Sequence, residues 1–147
     1  MLSKGRREGM NEARLRKQLE VDEGVKVKVY KDTKGLLTVG VGHLIKEGDV
    51  VSNTQIEKWF VEDVQGAVSD VMALVSTFLE QPDEIQEVLV NMMFNLGKVR
   101  LGKFKKMIQA VNRREYSVMV KEMKDSQWYE QVGSRAERLC KVVERYI

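Results

Sequence analysis

Three polar residues near the start of the chain have the types and spacing that hydrolysis of a glycosidic bond requires. Glu23 and Asp32 lie nine positions apart, and Thr38 follows six positions later. The intervening residues first alternate between apolar and polar and then become rich in glycine, which is typical of a β-hairpin. Such a hairpin would turn the three side chains toward one cleft. Two carboxylates that flank a bond, with room for a water molecule, are the groups used in glycoside hydrolysis.

Each of the three residues has a role in that chemistry. Glu23 would protonate the leaving oxygen as general acid. Asp32 would orient and deprotonate a water molecule or stabilise the oxocarbenium-like transition state, and the hydroxyl of Thr38 would hold that water. Taken alone, the residues leave plainer interpretations open. Glu23 could be an exposed acid, Asp32 a turn residue bonded to its own backbone, and Thr38 an ordinary strand residue.

Apolar spacing on both sides of this segment predicts a mostly helical α+β protein. Leu15 and Leu19 favour a first helix over residues 11–22, and strands are expected over 25–30 and 36–43. A capping box at 52–55 opens a long amphipathic helix that continues to about residue 78, before the single proline, Pro82. Further helices are predicted over residues 83–96 (with Gly97 just beyond the end), 104–112, 115–124, around 128, and 135–146.

The order of these residues resembles the phage-type lysozymes, and among them the lysozymes of T-even phages. The resemblance lies in the pattern E-G-x5-Y-x-D-x2-G-x2-T-x-G-x-G-H, and in VNMMFNLG, SQWYEQ and SRAER further along. The first pattern consists of Glu23, Gly24, Tyr30, Asp32, Gly35, Thr38, Gly40, Gly42 and His43. It implies a two-lobed fold with a small N-terminal lobe (a β-hairpin or three-stranded sheet), a long connecting helix and a helical C-terminal lobe. We expect one domain over 1–147, divided into 12–51, 52–80 and 81–147, with 1–10 a loosely held extension.

The resemblance also implies further site residues. Leu44 and Phe94 match positions that line the saccharide cleft, and Arg135 matches an arginine close to the catalytic acid, although a solvated helix-start arginine is an equally open interpretation. Asn91 and Asn95 flank Phe94 and would offer amide hydrogen bonds to sugar. His43 and Asp63 would form a structural ion pair. At Met107 and Glu122 the chain departs from the serine and asparagine of the family, which puts subsite contacts there in doubt.

These residues together predict an endolysin that hydrolyses the β-1,4 bond between N-acetylmuramic acid and N-acetylglucosamine, with inversion, to lyse the host cell. A lytic transglycosylase breaks the same bond and needs only the acid, so Asp32 and Thr38 argue against that alternative. A tail-associated lysozyme that opens the wall during infection is a further alternative. From another class, a non-catalytic module could bind nucleic acid through the seven cations of residues 98–114, a segment without acids. The chain carries no nucleic-acid motif, and we expect no nucleic-acid partner.

Composition narrows the setting in which the chain acts. The 147 residues carry a net charge of +3, and no apolar run approaches the ~20 residues of a membrane span. The basic N-terminal segment lacks the apolar stretch of a secretory signal, and the only cysteine, Cys140, is expected to be a buried apolar residue. We therefore expect a monomer made in the host cytoplasm, which reaches the periplasm or wall through a holin, as the resemblance implies. One histidine and one cysteine are too few for a zinc site, so no cofactor is expected.

Overall fold

The computed structural model describes residues 10–23, 30–31, 37–39, 43–44 and 53–147. Within these ranges the chain forms seven α-helices, three short strands and one 3₁₀ turn. The strands are β1 (Tyr30–Lys31), β2 (Leu37–Val39) and β3 (His43–Leu44), and the 3₁₀ turn is Phe78–Glu80. The helices are α1 (Glu12–Glu23), α2 (Asn53–Leu74), α3 (Asp83–Gly102), α4 (Lys105–Asn112), α5 (Tyr116–Lys124), α6 (Gln127–Val132) and α7 (Ser134–Glu144).

The predicted α+β class is wrong, because helix makes up nearly all of the regular structure in the described residues. The strands contain two, three and two residues, whereas α2 and α3 contain 22 and 20. The strands pair in the order β1-β2-β3, antiparallel, and this small ladder is a local feature of a helical protein. The alternating pattern had suggested extended strands over 25–30 and 36–43, most of which lie outside the described residues.

The chain divides into two compact units. One comprises Glu12–Gly66, and the other contains Ala67–Ile147 together with residues 10 and 11. The division falls inside α2. The predicted lobe boundaries at residues 51 and 80 stay predictions, and residues 1–9 of the predicted extension lie outside the described part of the chain.

In the unit Glu12–Gly66, α1 and the first half of α2 contact each other through apolar faces. Leu15, Leu19, Phe60 and Val64 are buried, at the four-residue spacing that places neighbours on one side of a helix. The guanidinium of Arg16 lies 5.1 Å from the centre of the Phe60 ring, which covers the edge of this contact with a cation–π interaction.

The long helix α2 ends at Leu74, earlier than its apolar pattern predicted. The Thr77 backbone N–H and hydroxyl both donate to Oδ1 of Asn112, over 3.2 and 2.7 Å. This bond to a side chain of α4 holds the chain in a turn, and Phe78–Glu80 then forms a short 3₁₀ segment. The end of α2 therefore depends on a partner 35 positions away, which periodicity does not report.

The prediction that a helix ends at Leu96 with Gly97 beyond it is confirmed in its backbone geometry. Gly97 has φ 79° and ψ 165°, so α3 is two helical segments that meet at a kink there. Glycine adopts positive φ at little cost, which makes it the residue suited to this break.

The unit that contains Ala67–Ile147 has its core among the helices α3 to α7, each of which buries apolar side chains. The five core positions predicted on α3 are all buried; they are Val88, Leu89, Met92, Met93 and Leu96. Cys140 is 1% exposed on α7, as predicted, and burial raises the pKa of its thiol to about 11. Across the described residues, no helix has the length and apolar character that a membrane crossing requires.

Candidate active site

The proposed acid, Glu23, is the last residue of α1. Leu15 and Leu19 lie two turns and one turn before it on the same helix, and both are fully buried. Because these leucines fix the helix against its neighbours, the backbone that carries Glu23 belongs to a packed element and not to a loop.

The proposed water-holding residue, Thr38, lies in the middle of β2. Its partner on β1 is Tyr30 and its partner on β3 is Leu44. The pairing therefore brings Thr38 beside one predicted cleft residue, Leu44, and opposite a residue two positions before Asp32. Asp32 itself lies outside the described residues, and its role stays a prediction.

The predicted ion pair joins β3 to α2. His43 lies in β3 opposite Val39, and Asp63 lies on α2, where it is half-buried. The pairing of the two side chains stays a prediction.

Two predicted site residues of the other unit are brought together although 44 positions separate them. Nε of Arg135 donates to Oδ1 of Asn91 over 2.8 Å, and Nη2 donates to the Asn91 carbonyl oxygen over 3.2 Å. Asn91 is 0% exposed and Arg135 is 9% exposed. A fully buried amide offers no surface to a sugar, so this geometry suits Asn91 to orienting Arg135.

Asn95 has a partner that the sequence did not reveal. Nε1 of Trp128 donates to Oδ1 of Asn95 over 2.6 Å, and the Trp128 ring packs edge-on against Phe104 with centres 6.4 Å apart. This bond orients the Asn95 amide one residue after Phe94, and both residues are half-buried. The only sequence signal for Trp128 was its place in the SQWYEQ motif. In the structure, the Ser126 hydroxyl accepts a hydrogen bond from the Tyr129 N–H and caps the start of α6.

The two positions that depart from the family pattern line the same pocket. This pocket has a volume of about 420 Å³ and is bounded by residues 103–107 with Glu122, Asp125 and Ser126. Met107 is buried, and Glu122 is half-buried. A thioether and a carboxylate thus replace a hydroxyl and an amide in one small space, which changes what that space can bind.

The described residues were compared with the ligand sets that bind metal ions in proteins. No group of three or more His, Cys, Asp or Glu side chains lies close enough to hold an ion there.

Comparison with known proteins gives a consistent result. The sequence model of the family described as phage lysozyme matches residues 20–145. This range contains every candidate site residue, from Glu23 to Arg135.

Individual relatives come from several biological settings. The chain is 27% identical to probable T4-type lysozyme 1 of Dictyostelium discoideum, over 88% of this chain and 93% of the relative. It is 30% identical to the pre-baseplate central spike protein Gp5 of Enterobacteria phage T4, over 88% of this chain and 27% of that protein. It is 28% identical to an endolysin of Salmonella phage P22, over 55% of this chain and 59% of that protein.

A match over so much of the chain shows the family. The chain belongs to the phage lysozyme family and is a glycoside hydrolase of the lysozyme type.

Proposed function

We propose that this lysozyme hydrolyses the β-1,4 bond between N-acetylmuramic acid and N-acetylglucosamine in peptidoglycan with inversion. Glu23 protonates the leaving oxygen, and Asp32 and Thr38 hold the water molecule that attacks the opposite face of the sugar ring. An inverting arrangement needs space for that water, so the two carboxyl groups would stand roughly 6.5–9.5 Å apart.

The pairing of Thr38 with Tyr30 is the observation that carries this proposal. It brings Thr38 alongside the strand that leads into Asp32 after one further residue, Lys31. A carboxylate can accept one hydrogen bond from a water molecule, and a neighbouring hydroxyl can accept the second or donate to the water oxygen, so the pair can fix the direction of attack.

The place of Glu23 at the end of α1 supports its role as an acid. The C-terminal end of a helix carries a partial negative charge, because its last carbonyl groups have no partner within the helix. In general, a carboxyl group close to such an end is easier to keep neutral than one in open solvent. A general acid must keep its proton until the bond breaks.

For binding the glycan, we propose Phe94, Asn95 and Leu44 as contact residues and Arg135 as a polar contact held by Asn91. The half-buried Phe94 and Asn95 leave part of their surface available to a ligand, and the bond from Trp128 fixes the Asn95 oxygen so that its NH₂ group is free to donate. Sugar hydroxyls and acetamido groups accept such bonds.

The biological role that we propose is that of an endolysin. The similarity to the endolysin of a Salmonella phage supports it. In this role a monomeric enzyme made in the host cytoplasm passes a holin-opened membrane, cuts the wall and lyses the cell.

The test compares the native chain with Glu23→Gln on purified peptidoglycan, with the released ends identified. We expect reducing muramic acid ends from the native chain and a rate at least about 10²-fold lower from the variant. Proton NMR of the first product should show the α-anomer, because inversion of a β-bond produces it. Glu20→Gln, which changes an exposed acid on the same helix, is the control and should retain full activity.

Three outcomes would overturn the proposal. A 1,6-anhydro end would identify a lytic transglycosylase. A β-anomer as first product would indicate retention. Equal clearing by the native chain and Glu23→Gln would mean that Glu23 is not the acid.

A further inference from the structure

An unusual concentration of positive charge lies where α3 meets α4. Five cations fall within nine residues, and we call them the basic corner: Lys98, Arg100, Lys103, Lys105 and Lys106. All five are exposed, and Val99 between them is 75% exposed. No acidic residue interrupts the segment from residue 98 to residue 114.

The cations of the basic corner differ from several other cations of the same unit in having no acidic partner among the residues that the structure describes. None of the five forms an ion pair with any residue in the described ranges. Elsewhere Lys121, Lys124 and Arg145 bind Asp125, Glu144 and Glu84 at 3.0, 2.9 and 2.7 Å. Five exposed like charges within nine residues raise the local positive potential, so this surface attracts an external polyanion.

The basic corner is continuous with the residues proposed to bind glycan. Lys103, Lys105 and Lys106 line the 420 Å³ pocket together with Phe104, and Glu122 and Asp125 also line it. The Phe104 ring packs against Trp128, and Trp128 donates to Asn95. A glycan strand that contacts Asn95 therefore lies two packed side chains from the basic corner, within the same unit.

The aromatic residues beside these cations argue against single-stranded nucleic acid as the partner. Proteins that bind single strands combine cations with exposed aromatic faces on which bases stack. Here Trp128 is 3% exposed and Phe104 is half-buried against it, so neither ring presents an open face. Carboxylates on a flexible polymer need no stacking platform, and the peptides of peptidoglycan supply them.

We infer that the basic corner is a wall-binding surface, which attracts the peptide carboxylates of uncleaved peptidoglycan and holds the enzyme on the insoluble polymer. This inference rests on the proposed function, because it takes the substrate of that reaction as the partner. Attraction of this kind acts mainly on the association rate and weakens with salt, since the screening length is ≈ 10 Å at 0.1 M.

The experiment measures binding to insoluble peptidoglycan by co-sedimentation, with every chain also carrying Glu23→Gln so that the polymer stays intact. The test variant is Lys103→Gln/Lys106→Gln. The matched control is Lys124→Gln/Arg145→Gln, which removes the same charge from cations that already have acidic partners. Each chain is measured at low and high salt, on native wall and on wall whose carboxylates have been converted to amides, and with duplex DNA in place of wall.

We expect the test variant to bind native wall about five- to tenfold more weakly than the control at low salt, within the range of electrostatic steering. The difference should disappear on amidated wall and at high salt. Equal binding of the two variants to native wall would overturn the inference, as would a difference that survives amidation. A loss of DNA affinity larger than the loss of wall affinity would identify nucleic acid as the partner and also overturn it.

The proposed function is judged separately, from the reducing ends that the chain with Glu23 intact releases. If the native chain releases these ends and both double variants bind the wall equally, the proposed function is supported. Only the inference of a wall-binding surface is then wrong. If the native chain releases no reducing ends, the proposed function is wrong, whatever the co-sedimentation result.

Discussion

The two units of the molecule differ in what their residues are arranged to do. The unit Glu12–Gly66 carries Glu23 at the end of a helix and Thr38 in a ladder of two- and three-residue strands, while Asp32 lies outside the described residues. The unit that contains Ala67–Ile147 has five α-helices in full among its described residues, and their side chains form long-range hydrogen bonds in the interior.

The interior bonds of this helical unit show why it is suited to a structural role. Gln81 is 4% exposed and donates to Oγ1 of Thr77 and to the carbonyl oxygen of Val111, each over 2.9 Å. The Tyr116 hydroxyl donates to Oε1 of Gln81 over 2.6 Å. A buried network with every group satisfied favours a single packing arrangement.

On the proposed assignment, the residues that break the bond lie in one unit, and the buried hydrogen-bond network described above lies in the other. Substitutions at the proposed catalytic residues should change turnover with little effect on unfolding. Substitutions in the interior of the helical unit should do the reverse. Four predictions follow this division, beginning with the largest expected effect.

Replacing Asp32 by Asn should reduce turnover on peptidoglycan by about 10²–10⁴-fold, because an amide cannot take a proton from the attacking water. Because the role proposed for Asp32 is catalytic, the free energy of unfolding should stay within about 0.5 kcal/mol of the native value. Steady-state release of reducing ends and urea unfolding measure the two effects. Asp83→Asn, which changes an exposed acid of the helical unit, is the control. Full activity of Asp32→Asn would show that Asp32 is not a catalytic residue.

Arg135→Ala should lower the free energy of unfolding by about 2–4 kcal/mol, because it removes two hydrogen bonds to the buried Asn91 and opens a cavity. Arg113→Ala, which removes an exposed arginine, should change it by less than about 0.5 kcal/mol. Urea unfolding monitored by tryptophan fluorescence compares the two. Equal stability of both variants would mean that the Arg135–Asn91 contact does not stabilise the interior.

The free energy of unfolding at alkaline pH should depend on the buried thiol of Cys140 on α7. Burial raises the pKa of Cys140 from 9.0 to about 11, so the folded state holds its proton more tightly than the unfolded state. The contribution is complete below pH 9, and it is lost as pH rises from 9 to about 11 because the unfolded chain ionises first. The unfolding free energy of the native chain, measured with a reductant present, should fall relative to that of Cys140→Ala across this window. Parallel curves would contradict the prediction.

Gly66→Ala should raise the free energy of unfolding by about 0.5–1 kcal/mol, the smallest of the four effects. Gly66 lies within α2 at the edge of one unit, and a Cβ there meets no atom within 4 Å. Gly97→Ala is the contrasting variant, since φ 79° at that position strains any residue with a Cβ and should lower stability. Thermal unfolding of the pair measures both; destabilisation by Gly66→Ala would show that this glycine has a structural requirement.

Several features could be read from the sequence because their causes are local. The helix break at Gly97, the buried positions of α3 and the burial of Cys140 follow from glycine chemistry and apolar spacing. The fold-class prediction was wrong because the alternation of apolar and polar residues, and the glycines, over residues 25–43 suggested more strand than the described residues contain. For the candidate site, the motif selected Glu23, Asp32 and Thr38, while the roles of Asn91 and Asn95 needed their partners to be known.

By itself, the sequence determined the family, the helical segments and the residue types available for catalysis, since motif order and periodicity are properties of neighbouring residues. Only the tertiary structure decided that α2 stops at Leu74, that Arg135 binds Asn91 and that Trp128 binds Asn95. These contacts join residues 35, 44 and 33 positions apart. Such partners are selected by how helices pack, and packing depends on the whole interior and not on any one segment.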